Sequence, residues 1–311
     1  MRTYVGVEIG GTKLQLAVGF SNLAIIAKRT LAVQPSLGAS GIREQIERAL
    51  PEVLQTPSAI GVGFGGPVNW RTGRICRSHQ IEGWSEFDLA GWLGKLTGLP
   101  VHVDNDANVA ALGEALHGAG IDGNPVFYVT LGSGVGGGLV VDRSIYHGAQ
   151  PGEAEIGHVR LDRTGTTVES RCSGWAVDAR IRELVVREPS GLLAQLGAQG
   201  PGAEARHLVT ALEKADASAT RLLNDMADDL AFGLSHVIHL FHPEIIVLGG
   251  GLSQIGERLR SAVEKALPRF VMEAFSPGPR IVLSKLGQDA VPVGALELAR
   301  QKEEIRLPAL A

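Results

Sequence analysis

The residues with the clearest chemical promise are Asp104-Asn105-Asp106-Ala107-Asn108, placed where an apolar run, Val101 to Asp104, gives way to a helical pattern. Asp and Asn are ordinary helix N-caps, and capping alone would account for them. The position also has a sharper use. A helix N-terminus holds a carboxylate in its charged form, ready to accept a hydroxyl proton, while a neighbouring Asn can grip adjacent hydroxyls. A second cluster, Gly152-Glu153-Ala154-Glu155-Ile156-Gly157-His158, puts two carboxylates and an imidazole in a loop that leads into Val159 to Leu161. Carboxylates accept hydrogen bonds from vicinal hydroxyls, as polyol recognition requires. A solvated acidic turn and a metal site are the alternatives. Zinc ranks last, because Cys172 has no second thiol nearby.

Glycine accounts for 41 of 311 residues, against an average near ~7%. Three glycine-rich turns each follow an apolar run: Glu8-Ile9-Gly10-Gly11-Thr12-Lys13, Leu131-Gly132-Ser133-Gly134-Val135-Gly136-Gly137-Gly138, and Leu248-Gly249-Gly250-Gly251. Glycine lets backbone N–H groups approach an anion, which suits phosphate binding. Any one of these turns could be a tight hairpin; three in a repeated layout favour a nucleotide held between two domains. No G-x-x-x-x-G-K-[ST] occurs, and the one G-x-G-x-x-G match, Gly132 to Gly137, leads into a strand rather than a helix, so neither a P-loop nor a dinucleotide fingerprint is present.

The elements that must position these residues follow from the apolar patterning. Strands are expected at Tyr4 to Ile9, Leu14 to Phe20 and Leu23 to Thr30, with a helix over Gly41 to Leu54 and a buried strand at Ala59 to Phe64. A loop region through Trp84 then leads to a helix from Leu89 to Leu96, the strand Val101 to Asp104, and a helix over Ala107 to Leu116. Val126 to Leu131 and Val135 to Val141 repeat the strand, glycine turn, strand layout of residues 4 to 20, which reads as an internal pseudo-repeat. The longest helix is expected over Ala219 to Phe241, stopped by His242-Pro243, with a strand at Glu244 to Leu248 after it. Pro189 to Glu204, rich in Gly, Ala and Gln, reads as a flexible loop. A last helix, Val291 to Lys302, is expected to pack back on the first domain.

Length and composition bound the function. A chain of 311 residues is most simply two domains, and 44% hydrophobic with 20% charged residues excludes a disordered chain. Lys+Arg 29 against Asp+Glu 33 excludes a strongly basic nucleic-acid binder. The only cysteines, Cys76 and Cys172, cannot make a disulfide framework, and no run of about 18 apolar residues occurs, so a soluble cytoplasmic protein without membrane attachment is expected.

Together these residues become recognisable. From Val5 through Val293-Gly294-Ala295-Leu296 the chain resembles the ROK family (repressors, open reading frames and sugar kinases) of the sugar kinase and actin superfamily. Five landmarks stand in the family's order: the Gly10 to Lys13 turn, Gly65-Gly66-Pro67-Val68, Asn105-Asp106-Ala107-Asn108, Leu131 to Gly138, and Glu155-Ile156-Gly157-His158. The resemblance implies an α/β fold of two actin-like (ribonuclease H-like) lobes, each a mixed sheet flanked by helices, with a nucleotide cleft between them. The expected lobes are 1–120, joined by the C-terminal helix 290–311, and 121–289. It implies ATP and Mg2+, a glucokinase-type transfer of the γ-phosphoryl group to a hexose hydroxyl, O6 of glucose, and a homodimer. By position, Asp106 matches the catalytic base, and Gly66, Asn105, Glu155, His158 and Glu169 match sugar-binding residues. Gly10, Gly11, Thr12 and Lys13 match the first phosphate turn, Gly132, Ser133 and Gly134 the second, and Gly249, Gly250 and Gly251 the adenosine turn.

The chain departs from the family pattern in three places. Glu8 stands where the family usually has Asp before the first turn; it would reach magnesium through water. The family's cysteine-rich zinc loop is absent, since Asp162 to Val168 holds no cysteine, so no structural zinc is expected and His158 would serve the sugar alone. The segment His79-Gln80-Ile81-Glu82-Gly83-Trp84 replaces an Asn expected ahead of a Gly-Trp pair, which leaves N-acetylmannosamine, N-acetylglucosamine, fructose and allose as competing substrates. A non-catalytic sugar sensor of the same family is the alternative from another class. A regulator with a DNA-reading domain is not expected, because the nucleotide fold begins within the first five residues.

Overall fold

The computed structural model describes residues 2–22, 24–53, 56–78, 81–152, 154–200 and 202–306. Leu23, Leu54, His79, Gln80 and Glu153, used above, lie outside them, as does 307–311 of the expected C-terminal helix. In chain order, the elements before the second glycine turn are β1 (Thr3–Ile9), β2 (Lys13–Phe20), β3 (Ile25–Ala32), α1 (Gly38–Val53), β4 (Ala59–Phe64), β5 (Val68–Asn69), β6 (Arg74–Ile75), α2 (Leu89–Thr97), β7 (Val101–Asn105), α3 (Asp106–His117) and β8 (Val126–Leu131). After it come β9 (Val135–Val141), β10 (Ser144–Ile145), α4 (Val168–Cys172), α5 (Gly174–Arg187), α6 (Leu192–Gly197), α7 (Leu208–Glu213), α8 (Ala217–Phe241), β11 (Ile245–Gly249), α9 (Glu257–Ala266), β12 (Arg280–Leu283) and α10 (Ala290–Arg306).

The chain forms two compact units: Met1–Asp122, Gly138–Ala154 and Lys285–Ala311 make the first, and Gly123–Gly137 with Glu155–Ser284 the second. This division differs from a second lobe running unbroken over 121–289. Residues 138–154 belong to the first unit because Gly138 packs against α3 so closely that a methyl group there would meet the Ala107 carbonyl and the Ala111 side chain.

The first unit is built on a sheet ordered β3-β2-β1-β4-β7, antiparallel through β3, β2 and β1 and parallel through β1, β4 and β7. The near-continuous apolar runs of β1 and β4 are buried, as expected of central strands covered on both faces. α1 and α2 contribute Ile42, Ile46, Leu50, Leu89 and Leu93 to one core cluster. α3 and α10 form another from Val109, Leu112, Leu116, Ala295 and Leu298. The buried Glu297 on α10 binds Arg300, Gln301 and, on α3, His117. Burial works to raise its pKa, but these hydrogen bonds and the Arg300 charge prevail and hold it down at about 2.

The second sheet, ordered β10-β9-β8-β11-β12, repeats the first in layout: an antiparallel outer pair, then parallel neighbours β8, β11 and β12. The 25-residue α8 covers the second unit's core with Leu222, Leu223, Met226, Leu230, Leu234 and Ile238. Its N-cap Asp216 accepts from Ala219 N, and His242 ends it in the left-handed conformation.

Two local expectations are corrected. The loop expected before Trp84 contains the short antiparallel pair β5 and β6. Ahead of Val159 to Leu161, Ile156–His158 is a 3-10 turn, and the chain then folds back through Leu161 N to Thr166 O and Val168 N to Val159 O. One oxygen of Asp162 closes that loop, accepting from the backbone N of Thr164, Gly165 and Thr166 and from the Thr164 hydroxyl. The bonds from Thr166 and Thr164 hold the Asp162 carboxyl well below the usual carboxylate range. Finally, 189–204 is not simply a loop. It contains α6, whose Leu193 and Ala194 are buried; that apolar anchor outweighs the loop-like composition around it.

Candidate active site

In the first unit, the register of the parallel strands decides which residues meet. Ile9 lies beside Phe64, and Phe64 beside Asn105, so β1, β4 and β7 end at one edge. Past that edge come Gly10, Gly65-Gly66 and Asp106. Ligands of open α/β sheets bind outside the carboxyl ends of parallel strands, where loops diverge. Gly65 N donates to Ile9 O at 2.8 Å. A methyl group at Gly65 would sit 3.4 Å from Asp106 Oδ2 and 3.6 Å from Gly10 Cα, so the three loops come close together at this edge.

Asn105 is the N-cap of α3: its Oδ1 accepts from Ala107 N at 2.8 Å and Asn108 N at 3.2 Å. Its Nδ2 donates to Gly66 O at 3.3 Å. Capping and ligand binding are therefore compatible, but the amide has only one N–H left to offer a hydroxyl. Asp106 Oδ1 accepts from Ala107 N at 2.8 Å, and the carboxylate lies on the positive end of the helix.

Glu8 faces Gln15 across β1 and β2 and accepts from Gln15 Nε2 at 2.5 Å, while Thr30 Oγ1 on β3 donates to Gln15 Oε1 at 3.0 Å. Its other oxygen pairs with Lys13 Nζ at 3.1 Å. Both oxygens of Glu8 are thus engaged, and the first turn carries its own ion pair. Among the described residues, no group of three or more His, Cys, Asp or Glu is arranged to hold a metal ion.

In the second unit, the glycine turn after β8 closes through Gly132 N to Gly134 O at 3.0 Å, and Gly132 O accepts from Gly174 N, the first residue of α5. β11 runs parallel to β8 with Gly249 beside Thr130, which brings Gly249–Gly251 next to this turn. Glu169 lies in α4, whose capping box joins Thr167 and Ser170. One of its oxygens accepts from Val135 N at 2.9 Å, so the residue anchors the end of the turn and keeps one oxygen for a ligand. Glu155 and His158 flank the 3-10 turn with Oε2 and Nε2 3.9 Å apart, both largely exposed. Gly157 is required between them because a methyl group there would strike the Val135 carbonyl. Cys172 is buried, its thiol pushed far up by desolvation, and it donates to Met226 O.

The family model described as "ROK family" matches residues 4–302. The chain belongs to the ROK family. It is 31% identical to a glucokinase of Halalkalibacterium halodurans, over 97% of this chain and 96% of that protein. It is 29% identical to a beta-glucoside kinase of Listeria innocua, over 79% and 81%. A crystal structure of a ROK family glucokinase from Streptomyces griseus, in complex with glucose and AMPPNP, matches 96% of this chain and 99% of its own with a TM-score of 0.85 and 30% identity. The two sheet-containing lobes, each a mixed sheet flanked by helices, are the actin-like fold of ROK sugar kinases.

Within the first unit the structure gathers Gly10, Gly66, Asn105 and Asp106; within the second it gathers Glu169 with the Gly132–Gly134 turn, and Glu155 with His158. Three polar residues around the α3 junction carried no role in the sequence: Asp104, Asn108 and His147. Asp104 and Asn108 were visible as part of the motif, but nothing in sequence pattern links His147 to them across 43 positions.

Proposed function

We propose that the chain is an ATP-dependent hexose kinase of glucokinase type that phosphorylates O6 of glucose. The observation that carries this reading is Asp106 at the N-terminus of α3, with Oδ2 facing Gly65 at the strand-end edge of the first unit. Asp106 accepts the hydroxyl proton as the sugar oxygen bonds to the γ-phosphorus and the bond to the β-phosphate oxygen breaks, releasing ADP. Asn105 donates its remaining N–H to a neighbouring hydroxyl. The other residues proposed for sugar hydroxyls are Gly66 in the first unit and Glu155, His158 and the free oxygen of Glu169 in the second. The relatives support this activity; the beta-glucoside kinase, at similar identity, supports a sugar kinase more firmly than it supports glucose.

The nucleotide reading has a structural fit. A methyl group at Gly251 would meet nothing within 4 Å, and one at Gly132 nothing nearer than 3.9 Å, so backbone at both turns is open to a ligand. Each unit carries a turn proposed for phosphates, Gly10, Gly11, Thr12 and Lys13 in the first and Gly132, Ser133 and Gly134 in the second, where Gly249, Gly250 and Gly251 would hold the adenosine. Magnesium would arrive on the phosphates and offset their charge, with Glu8 reaching it through water. With both its oxygens engaged, Glu8 makes no metal site by itself. No described helix is long and apolar enough to cross a membrane.

An ADP-release assay with glucose, mannose, allose, fructose, N-acetylglucosamine and N-acetylmannosamine tests the proposal. Glucose is expected to give the highest kcat/KM. A lead of about tenfold, or ~1.4 kcal/mol, by an N-acetylhexosamine or fructose would overturn the glucose assignment. Sugar binding without ADP release from any of them would favour the non-catalytic sensor.

A further inference from the structure

Asp104 is only 2% exposed, yet every described oxygen of its carboxylate has a donor. Oδ1 accepts from Asn105 N at 2.9 Å and from Asn108 Nδ2 at 3.0 Å. Oδ2 faces His147 Nε2 at 2.6 Å. For that contact to be a hydrogen bond the nitrogen must carry the proton, a tautomer inferred from the network because a carboxylate can only accept. The His147 ring is fixed from its other side by Trp70, stacked at 4.1 Å and 15°. Asn108 Nδ2 also donates to Gly152 O at 2.8 Å. The segment from His147 to Gly152 is therefore tied at both ends to residues that bracket Asn105-Asp106, one immediately before the pair and one two positions after it.

We propose that the Asp104–His147 pair, steadied by Trp70, is a positioning device for Asp106: it holds the β7 to α3 junction at the angle from which the Asp106 carboxylate meets the sugar hydroxyl. This rests on the function proposed above. Neither residue touches substrate in this account. Removing the His147 donor leaves a buried carboxylate oxygen without its partner, which is costly, and the carboxylate then turns toward another donor. The Asn105 N–H and the Asn108 amide share that carboxylate, so the turn is passed to the residues on both sides of Asp106. Displacements of ~1 Å at a reacting group cost about 10²-fold in rate.

Two substitutions separate the donor from the stack. His147→Phe keeps an aromatic face for Trp70 and removes the donor; His147→Gln keeps a donor at the same reach and removes the stack. His147→Phe is expected to lower kcat by about 10- to 100-fold with sugar KM within about threefold, and His147→Gln to recover kcat to within about fivefold of wild type. In an Asp106→Asn background, His147→Phe is expected to cost less than about twofold more, because a device that acts through Asp106 has nothing left to position. Full turnover of His147→Phe, equal loss with Gln, or the same loss in the Asp106→Asn background would each overturn the proposal. Should Phe prevent folding, His147→Asn, one methylene too short to reach Asp104, takes its place with the same outcomes. Near wild-type turnover of Asp106→Asn alone would remove the base assignment; an inactive Asp106→Asn beside a fully active His147→Phe overturns the positioning alone.

Discussion

The two five-stranded sheets share a layout, but the two units hold their candidate residues in opposite ways. At the end of β7, Asp104 and Asn105 are 2% and 7% exposed, and the Asp104 carboxylate and the Asn105 side-chain amide are hydrogen-bonded to backbone or to buried partners. On the turn after β10 that leads into the second unit, the side chains of Glu155 and His158 are 46% and 75% exposed and touch each other only at 3.9 Å. The contrast matches the roles proposed for the two regions. Proton transfer depends on geometry to a fraction of an ångström, which burial and hydrogen bonds can enforce. Recognition of hydroxyls tolerates more slack and needs polar groups that are free to meet a ligand.

The contrast can be broken most directly at the buried side. Asp106→Asn is expected to keep the fold and sugar binding and to reduce kcat by roughly 10²- to 10⁴-fold; turnover near wild type, measured by ADP release, would move the base elsewhere. At the exposed side, Glu155→Gln is expected to raise sugar KM by about 10- to 100-fold with kcat changed less than about threefold and Tm unchanged. A fall in kcat as deep as the rise in KM would mean that the rim also sets geometry. A stability effect tests how firmly α10 holds α3 in the first unit. The Glu297 carboxyl is lowered from its ordinary 4.5 to about 2 in the fold, so its contribution is complete above pH 4.5 and is lost as pH falls toward 2. Glu297→Gln should therefore cost at most ~3 kcal/mol at neutral pH, lower Tm by roughly 5–10 °C, and leave a shallower acid limb in a pH scan of unfolding; an unchanged acid limb would count against it. The smallest effect is expected from chelation. The 162–167 loop is closed by Asp162, so dialysis against a chelator should not shift Tm; stoichiometric zinc with loss of folding on its removal would contradict this.

Much of the scaffold was legible because its signals were local. Ala59–Phe64, Val126–Leu131 and Val135–Val141 are apolar runs bounded by glycine or polar residues, and their expected limits match the strands. α8 was legible from its 3.6-residue period, and the pseudo-repeat from two glycine turns between strands. The fold-back around Val159 to Leu161 was not legible, because it depends on the close approach of Gly157 to Val135 and on the Asp162 turn. In 189–204, glycine and alanine masked the burial of Leu193. The Asp106 motif was legible by residue type and position. Its support was not, since the His147–Asp104 contact and the Trp70 stack join segments far apart in the chain.

The short turn Ile156–His158 has an evolutionary consequence. Its backbone is pinned by Gly157, while the side chains on either side of it point into solvent and hold up nothing else. Exposed positions of this kind usually accept substitution within about ±0.5 kcal/mol of stability. Under the proposed function, substrate preference could therefore drift from one sugar to another by single replacements at Glu155 or His158, each step leaving a folded protein with an intact β7 to α3 junction. In such a lineage, the diet of a kinase would be free to change faster than its chemistry.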